Sequence, residues 1–454
     1  MSRLARTSAL LLAVAIVACP LAAQRSPSDS LGGLPRHASL GVALTVDSSA
    51  PDRRGVVVQV VAPGRTAALA GVQPGDRVLA LDGAAVADVA DMVARSTRLV
   101  AGRPVTIRVR RGAAMLDLTA RATARPFESA PGLAVDYGAV PTSAGRRRTI
   151  VVRPTTPGRH PGVLLMGGVG CYSLDGLRDE GGYGTLVYGL ARAGYTVMRV
   201  EKVGMGDSEG PACDSPAADM RLEVAGYLAG LRALKADPQV DSARVAIVAH
   251  SMGPIEAALV ADSIPVSALV LAETTGLDWL EYDIANVRRQ LVLLDWPYDT
   301  IEREMRLHVQ CAFRFYVNHE APATLEAALP ACAGKLAMPQ PWTYMQQVGD
   351  VDQAAHWKRI DRPALVLYGT SDFVTSEADS RYLVDMINGF HPGRASLKVL
   401  NGMDHGLEVA PPPREAIRQE RTAPADVHPE LLPTVRGWLD TMLATPAGPA
   451  RAAR

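Results

Sequence analysis

The chain has 454 residues, 48% of them hydrophobic and 21% charged, with 47 basic side chains against 47 acidic. At about 150 residues per domain that length holds two or three domains, each able to bury its own core. The charges are interspersed and leave no basic footprint for nucleic acid, the 40 glycines and 33 prolines follow no collagen-like period, and the apolar fraction excludes wholesale disorder. A soluble, folded, multidomain protein is expected.

The chain begins with Arg3 and Arg6, an uncharged apolar run over residues 9–18, and the stretch Cys19, Pro20, Leu21, Ala22, Ala23. These are the three parts of a secretory signal, and the run is shorter than the roughly 20 residues that span a bilayer. Residues 1–23 are expected to be a signal peptide, the mature chain to start near Gln24, and the protein to be periplasmic or secreted. Ile16, Val17, Ala18 and Cys19 also resemble a bacterial lipobox, whose cysteine would carry a lipid anchor. Four cysteines follow: Cys171, Cys213, Cys311 and Cys332. An even number in an exported chain points to disulfides, and four thiols allow three pairings.

Residues 31–126 carry β-branched strand runs at 39–46 and 55–61 and a hairpin over 103–122 that turns near Arg111 and Gly112. Between them lies Ala67-Ala68-Leu69-Ala70-Gly71-Val72-Gln73-Pro74-Gly75-Asp76-Arg77-Val78-Leu79-Ala80-Leu81-Asp82-Gly83. Gly71 ends a short helix, where positive φ is wanted, and Gly75 and Gly83 sit in turns flanking a strand. The segment resembles the signature of PDZ domains in bacterial proteases of the high-temperature-requirement type. That resemblance implies a groove in which a peptide C-terminus adds as a strand, its carboxylate held by backbone N–H groups of Leu40-Gly41-Val42. The opposite wall would be a helix over 88–99, N-capped by Asp88. The alternative is a domain that only orders the part of the chain behind it.

From about Leu133 strands alternate with longer helical stretches, the pattern of a mostly parallel sheet flanked by helices. Short apolar runs at 162–166, 195–201, 244–248, 266–272 and 364–368 suit buried strands, and 217–236 suits a helix. Sites in such sheets gather at the carboxyl ends of strands. After the run ending at Val248 stand Ala249-His250-Ser251-Met252-Gly253 and a helical stretch over 254–262. This resembles the nucleophile elbow of the α/β-hydrolase superfamily, with alanine in place of the first glycine. The resemblance covers residues 130–446 and implies an α/β-hydrolase fold, a serine hydrolase of the esterase kind, and partners in the order acid, then histidine. Asp372 and His405 both follow strands downstream. The resemblance implies Ser251 as nucleophile, His405 as general base then acid, and Asp372 as the orienting carboxylate. Asp404, adjacent to the histidine, is the weaker candidate acid.

Oxyanion donors are expected from the backbone of Met252 and from Gly168 or Val169 in Gly167-Gly168-Val169-Gly170. A second loop, residues 201–210, resembles the glycine-rich loop beside the family's oxyanion site. Cys171 and Cys213 follow these neighbouring loops, which implies their pairing. Residues 276–361 fall where this superfamily inserts a helical cap. Cys311 and Cys332 lie inside it and are paired on that basis. The cap also holds Trp279, Trp296, Trp342 and Trp357, four of the five tryptophans. They are read either as an apolar lid over Ser251 or as the cap's own core.

The nine histidines show no His-Glu-x-x-His pattern, the cysteines show no paired Cys-x-x-Cys spacing, and there is no phosphate-binding glycine fingerprint. Hydrolysis without metal or cofactor is expected. The substrate would be a small-molecule ester or a short peptide, with a peptide C-terminus as the PDZ ligand and no nucleic acid. A peptide-binding adaptor with an inactive hydrolase fold is the reading from another class.

Overall fold

The computed structural model describes residues 32–45, 55–336, 340–419 and 425–444. The signal segment and Cys19, which carry the expectations of export and lipid anchoring, lie outside the described residues. No described helix is long and apolar enough to cross a membrane.

The first sheet is built from β1 (Val42–Thr45), β2 (Val56–Val61), β3 (Arg77–Leu81), β4 (Ala84–Ala85), β5 (Pro104–Arg111) and β6 (Ala114–Arg121). Its order is β1-β2-β3-β5-β6, with β4 on β3. Period-two burial is clearest in β5, where Val105, Ile107 and Val109 point into a core with Val56, Val58, Val78 and Met92. The helix Val89–Ser96 starts at Asp88, whose side chain accepts the N–H of Asp91, and β1 stands at the sheet's edge. This is a PDZ fold.

The second sheet contains β7 (Leu133–Thr142), β8 (Gly145–Pro154), β9 (His160–Met166), β10 (Thr196–Val200), β11 (Val240–His250), β12 (Ala268–Ala272), β13 (Ala364–Gly369) and β14 (Ala395–Leu400). Its order is β14-β13-β12-β11-β9-β10-β8-β7, parallel from β14 through β10 and antiparallel on both sides of β8. The parallel strands are apolar on both faces because each face is covered by helices. One core includes the helices Met220–Ala236 and Gly253–Ser263, the other Gly182–Arg192 and Leu431–Met442. Between β12 and β13 the described chain forms only helices, chiefly Trp279–Leu293, Tyr298–Tyr316 and Trp342–Gly349. The architecture is that of an α/β-hydrolase.

The β7–β8 hairpin has no counterpart among the apolar runs of the sequence. Its second strand carries Arg147 and Arg148, both at most 1% exposed, and these arginines hide the alternation a strand would otherwise show. They are tolerated because both are hydrogen-bonded, Arg147 to the carbonyls of Glu209 and Leu222 and Arg148 to a carboxylate. Arg148 Nε donates to Asp207 at 3.1 Å, and the same carboxylate accepts Arg36 Nη1 at 2.7 Å. Arg36 also reaches Asp175 and lies over the rings of Phe127 and Tyr137. Arg36 precedes the first sheet, so this buried cluster ties the PDZ domain to the hydrolase loops.

Both pairings of the cysteines are present, Cys171 with Cys213 and Cys311 with Cys332, spanning 42 and 21 residues. In the chain-entropy account, loops of those lengths stabilise by about 4 and about 3 kcal/mol. Paired serine substitution at either bridge is expected to lower the unfolding free energy by that amount, seen as a lower denaturation midpoint, with the larger loss at Cys171–Cys213. An unchanged midpoint would show that the bridge does not constrain the unfolded chain.

Candidate active site

Ser251 occupies the turn between β11 and the helix Gly253–Ser263, with φ of 60°, in the left-handed region. A serine pays for that conformation, and the surroundings explain why small neighbours are required. A Cβ on Gly253 would stand 2.8 Å from the Met166 carbonyl oxygen, and one on Gly168 would stand 2.8 Å from Ser251 Cβ. Ala249 is fully buried, so the place of the first glycine needs only a small side chain. The Ser251 N–H is fixed on the Ala272 carbonyl at 2.9 Å.

The structure brings Ser251, His405 and Asp372 together. Ser251 Oγ lies 2.8 Å from His405 Nε2, and His405 Nδ1 lies 2.8 Å from Asp372 Oδ2. Asp372 comes from the loop after β13 and His405 from the loop after β14. The carboxylate also accepts the Val374 N–H at 2.5 Å and the Thr375 hydroxyl at 2.5 Å. Burial alone would raise its pKa, but the His405 imidazole and these donors hold it well below the usual carboxylate range. Burial works against charge on His405 too, and there the Asp372 carboxylate outweighs it, so the imidazole pKa is raised. Asp404 accepts the N–H of Glu408 at 2.9 Å, and Asp372, not Asp404, meets the imidazole. A hydroxyl, an imidazole and a carboxylate in this order can act as a nucleophile, a base and its orienter.

Gly168 is set aside as an oxyanion donor, because its N–H is already given to Tyr183 Oη at 2.9 Å. Neither Val169 N–H nor Met252 N–H has a protein acceptor among the described residues, and both residues line the cavity at Ser251. The Gly168 carbonyl in turn accepts Lys202 Nζ at 2.8 Å and Tyr172 Oη at 2.9 Å. Tyr183 donates to His250 Nδ1 at 2.7 Å, and His250 Nε2–H donates to the His405 carbonyl at 2.7 Å. That carbonyl can only accept, so the His250 tautomer is fixed. Burial, with the His405 charge adding to it, pushes the His250 pKa down to about 3 and keeps the ring neutral. Lys202, Tyr183 and His250 thus brace the loop and the base. His250 lies in the elbow and Lys202 in the glycine-rich loop, at positions to which those motifs assign no role, and Tyr183 lies in neither.

The cavity in front of Ser251 holds about 310 Å³, and Trp279 and Tyr282 on the first cap helix form its aromatic wall. The four cap tryptophans divide between the two readings. Trp279 alone of the four lines this cavity, while Trp357 is 1% exposed in the core under the cap and Trp296 is 40% exposed. Trp342 lines a separate cavity beside Cys332. The helix Trp279–Leu293 also turns Asp283, Asn286 and Gln290 toward Ser251.

Glu273, which directly follows β12, reaches the same cavity and is fully buried. In the PDZ domain the carbonyls of Leu40 and Gly41 accept the N–H groups of Ala67 and Ala62. Gly41 takes φ of 72°, and Val42 opens the edge strand.

Fold and site together define a serine hydrolase of the α/β-hydrolase class. Residues 38–121 match the PDZ domain family, and residues 174–410, more than half of the chain, match the serine aminopeptidase S33 family, to which the chain belongs. No curated protein sequence matches it significantly. An esterase from Pyrococcus furiosus is similar in structure, with 13% identity, 60% of this chain and 86% of that one covered, and a TM-score of 0.39. Est1E from Butyrivibrio proteoclasticus gives 12% identity, 68% and 97% coverage and a TM-score of 0.41. The acylaminoacyl peptidase of Pyrococcus horikoshii gives 13%, 70% and 44%, and 0.42.

Replacing Asp372 with asparagine removes the charge that raises the His405 pKa and misdirects its tautomer. The expected loss in kcat is about 10⁴-fold. Activity needs the neutral imidazole, so it falls as pH drops through the His405 pKa, and in the variant that acid limb moves to lower pH. An acid limb that stays in place would show that Asp372 does not set His405.

Proposed function

We propose that the protein is an exported serine hydrolase that cleaves carboxylic esters through an acyl-serine intermediate, with a PDZ domain that binds a peptide C-terminus. The observation that carries the catalytic reading is the unbroken line from Ser251 Oγ through His405 to Asp372, with 2.8 Å at both links, opening onto a cavity. In acylation, His405 Nε2 takes the Ser251 proton as Oγ attacks the ester carbonyl carbon. The oxyanion is received by the N–H groups of Met252 and Val169. The tetrahedral centre then expels the alkoxide, which takes the proton back from His405, and a water repeats the sequence to free the acid and restore Ser251.

A second reading, hydrolysis of short peptides, is favoured by Asp283. It lines the cavity with Oδ2 on His308 Nε2 at 2.7 Å, and no lysine or arginine stands among the cavity's described wall residues. Such a wall suits an acyl group bearing an amine. Export is supported by the amino-terminal signal pattern and by two disulfides, which persist in oxidising compartments. The PDZ role is supported by the edge position of β1 beside Leu40-Gly41-Val42.

Ser251→Ala is expected to lower kcat by at least about 10⁴-fold with an unchanged melting temperature. Full activity in that variant would remove the assignment. Activated aryl esters should turn over faster than aminoacyl amides, and the opposite ranking would make the enzyme a peptidase. Asp283→Asn should cut the preference for amine-bearing over neutral acyl esters by about tenfold, read as a ratio of kcat/KM values, and an unchanged ratio would exclude Asp283 from recognition.

A further inference from the structure

We propose that Glu273 stands beside Asp372 as a neutral carboxylic acid whose O–H donates to the Asp372 carboxylate, making it a positioning residue for the Ser251–His405–Asp372 line. Its kinetic consequence rests on the serine-hydrolase reading; its protonation does not.

Glu273 is the first residue after β12, with φ of 50°, and Ser251 has φ of 60° at the end of the neighbouring strand. A glutamate in the left-handed region costs free energy and is kept only where its surroundings fix it. The residue is fully buried and its N–H is bound to the Leu367 carbonyl at 3.0 Å. One carboxyl oxygen of Glu273, one of Asp372 and one imidazole nitrogen of His405 lie within 4.8 Å of one another. Neither Glu273 oxygen has a donor in hydrogen-bond geometry, although the Gly369 N–H faces it.

The other titratable groups around it are Asp372 and Tyr368 from β13 and its loop, Asp404 and His405 from the loop after β14, His250 on β11 and Asp283 across the cavity. The permanent cation on the facing cap helix, Arg289, is given to the Val374 carbonyl at 2.8 Å and to Asp379 at 3.6 Å, and the main charges acting on Glu273 are those of Asp372 and Asp404. Two buried carboxylates this close cannot both be charged without a strong mutual penalty. Asp372 is held ionised by His405 and its own loop, which leaves Glu273 to carry the proton. Burial, and then the Asp372 charge, drive its pKa well above the usual range. In that form the Glu273 O–H finds its acceptor in Asp372, and Glu273 adds no negative charge to those of Asp372 and Asp404 that His405 faces.

Infrared difference spectra of wild-type protein and Glu273→Gln, without substrate, read the proton directly: the variant is expected to lose a protonated-carboxyl C=O band. Glu273→Leu should lower kcat by about tenfold with little change in KM, and Glu273→Gln, which can still donate, should recover most of that loss. The acid limb of kcat/KM in Glu273→Gln should lie within about 0.3 unit of wild type. The proposal is overturned if no such band is lost or if Glu273→Leu is as active as Glu273→Gln. It is equally overturned if the acid limb drops by about one unit or more, as removal of an ionised neighbour would require. Failure of wild-type Ser251 to react with a fluorophosphonate would defeat the hydrolase reading, while the infrared result would still decide the protonation of Glu273.

Discussion

The active site depends on one backbone constraint: Ser251 held at positive φ where a central strand becomes a helix. The conformation costs about 1–3 kcal/mol, and the sheet supplies it. β11 lies between β9 and β12, and the in-register parallel pairs Ala249 with Leu271 and Ala272 with Leu367 set where each strand ends. Because the ends are staggered by register alone, Ser251, Glu273, Asp372 and His405 emerge along one rim. Glu273 at 50° and Leu407 at 66° share the left-handed backbone, as do Asp82, Asp295 and His319 away from the site.

Around that rim the buried polar groups form a connected set. Lys202 and Tyr172 hold the carbonyl of Gly168 while Tyr183 holds its N–H, so the peptide planes on both sides of the Gly168 Cα, including the one that carries the Val169 N–H, are held. The same Tyr183 reaches the backbone of His405 through neutral His250. Loop and base are therefore positioned by one chain of hydrogen bonds, and a fault in either would be felt by the other. Glu223 lies 3.4 Å from Lys202 and balances its charge behind the loop. At the domain junction, Arg36 between Asp175 and Asp207 plays a comparable part, fixing the PDZ module to the loops that follow β9 and β10.

Much of this was legible in the sequence, for identifiable reasons. The PDZ segment around Gly71 and Gly75 and the elbow around Ser251 are local patterns in which small residues are demanded by backbone geometry, so residue identity reveals them. The run 162–166 lies inside β9 (His160–Met166), and 364–368 lies inside β13 (Ala364–Gly369), because strands covered on both faces read as continuous apolar stretches. The β7–β8 hairpin escaped because two buried, hydrogen-bonded arginines, one on each face, stand where apolar residues would mark a strand. Glu273 escaped although it stands at a strand end, as Ser251 does, because its significance lies in its distance from Asp372, a hundred residues onward. The choice between Gly168 and Val169 needed the partner of one amide, Tyr183, which no pattern announces. The tryptophans left lid and core open for a related reason: clustering along the chain places them in the cap without saying which face each occupies.

The most direct test of the central claim is to stop turnover of a slowly deacylating ester with acid and locate the acyl group by intact-protein mass and peptide mapping. A single acyl adduct on Ser251, absent when Ser251 is replaced, is the result the account predicts. Product release with no adduct at any stage, or an adduct mapped to another residue, would contradict it.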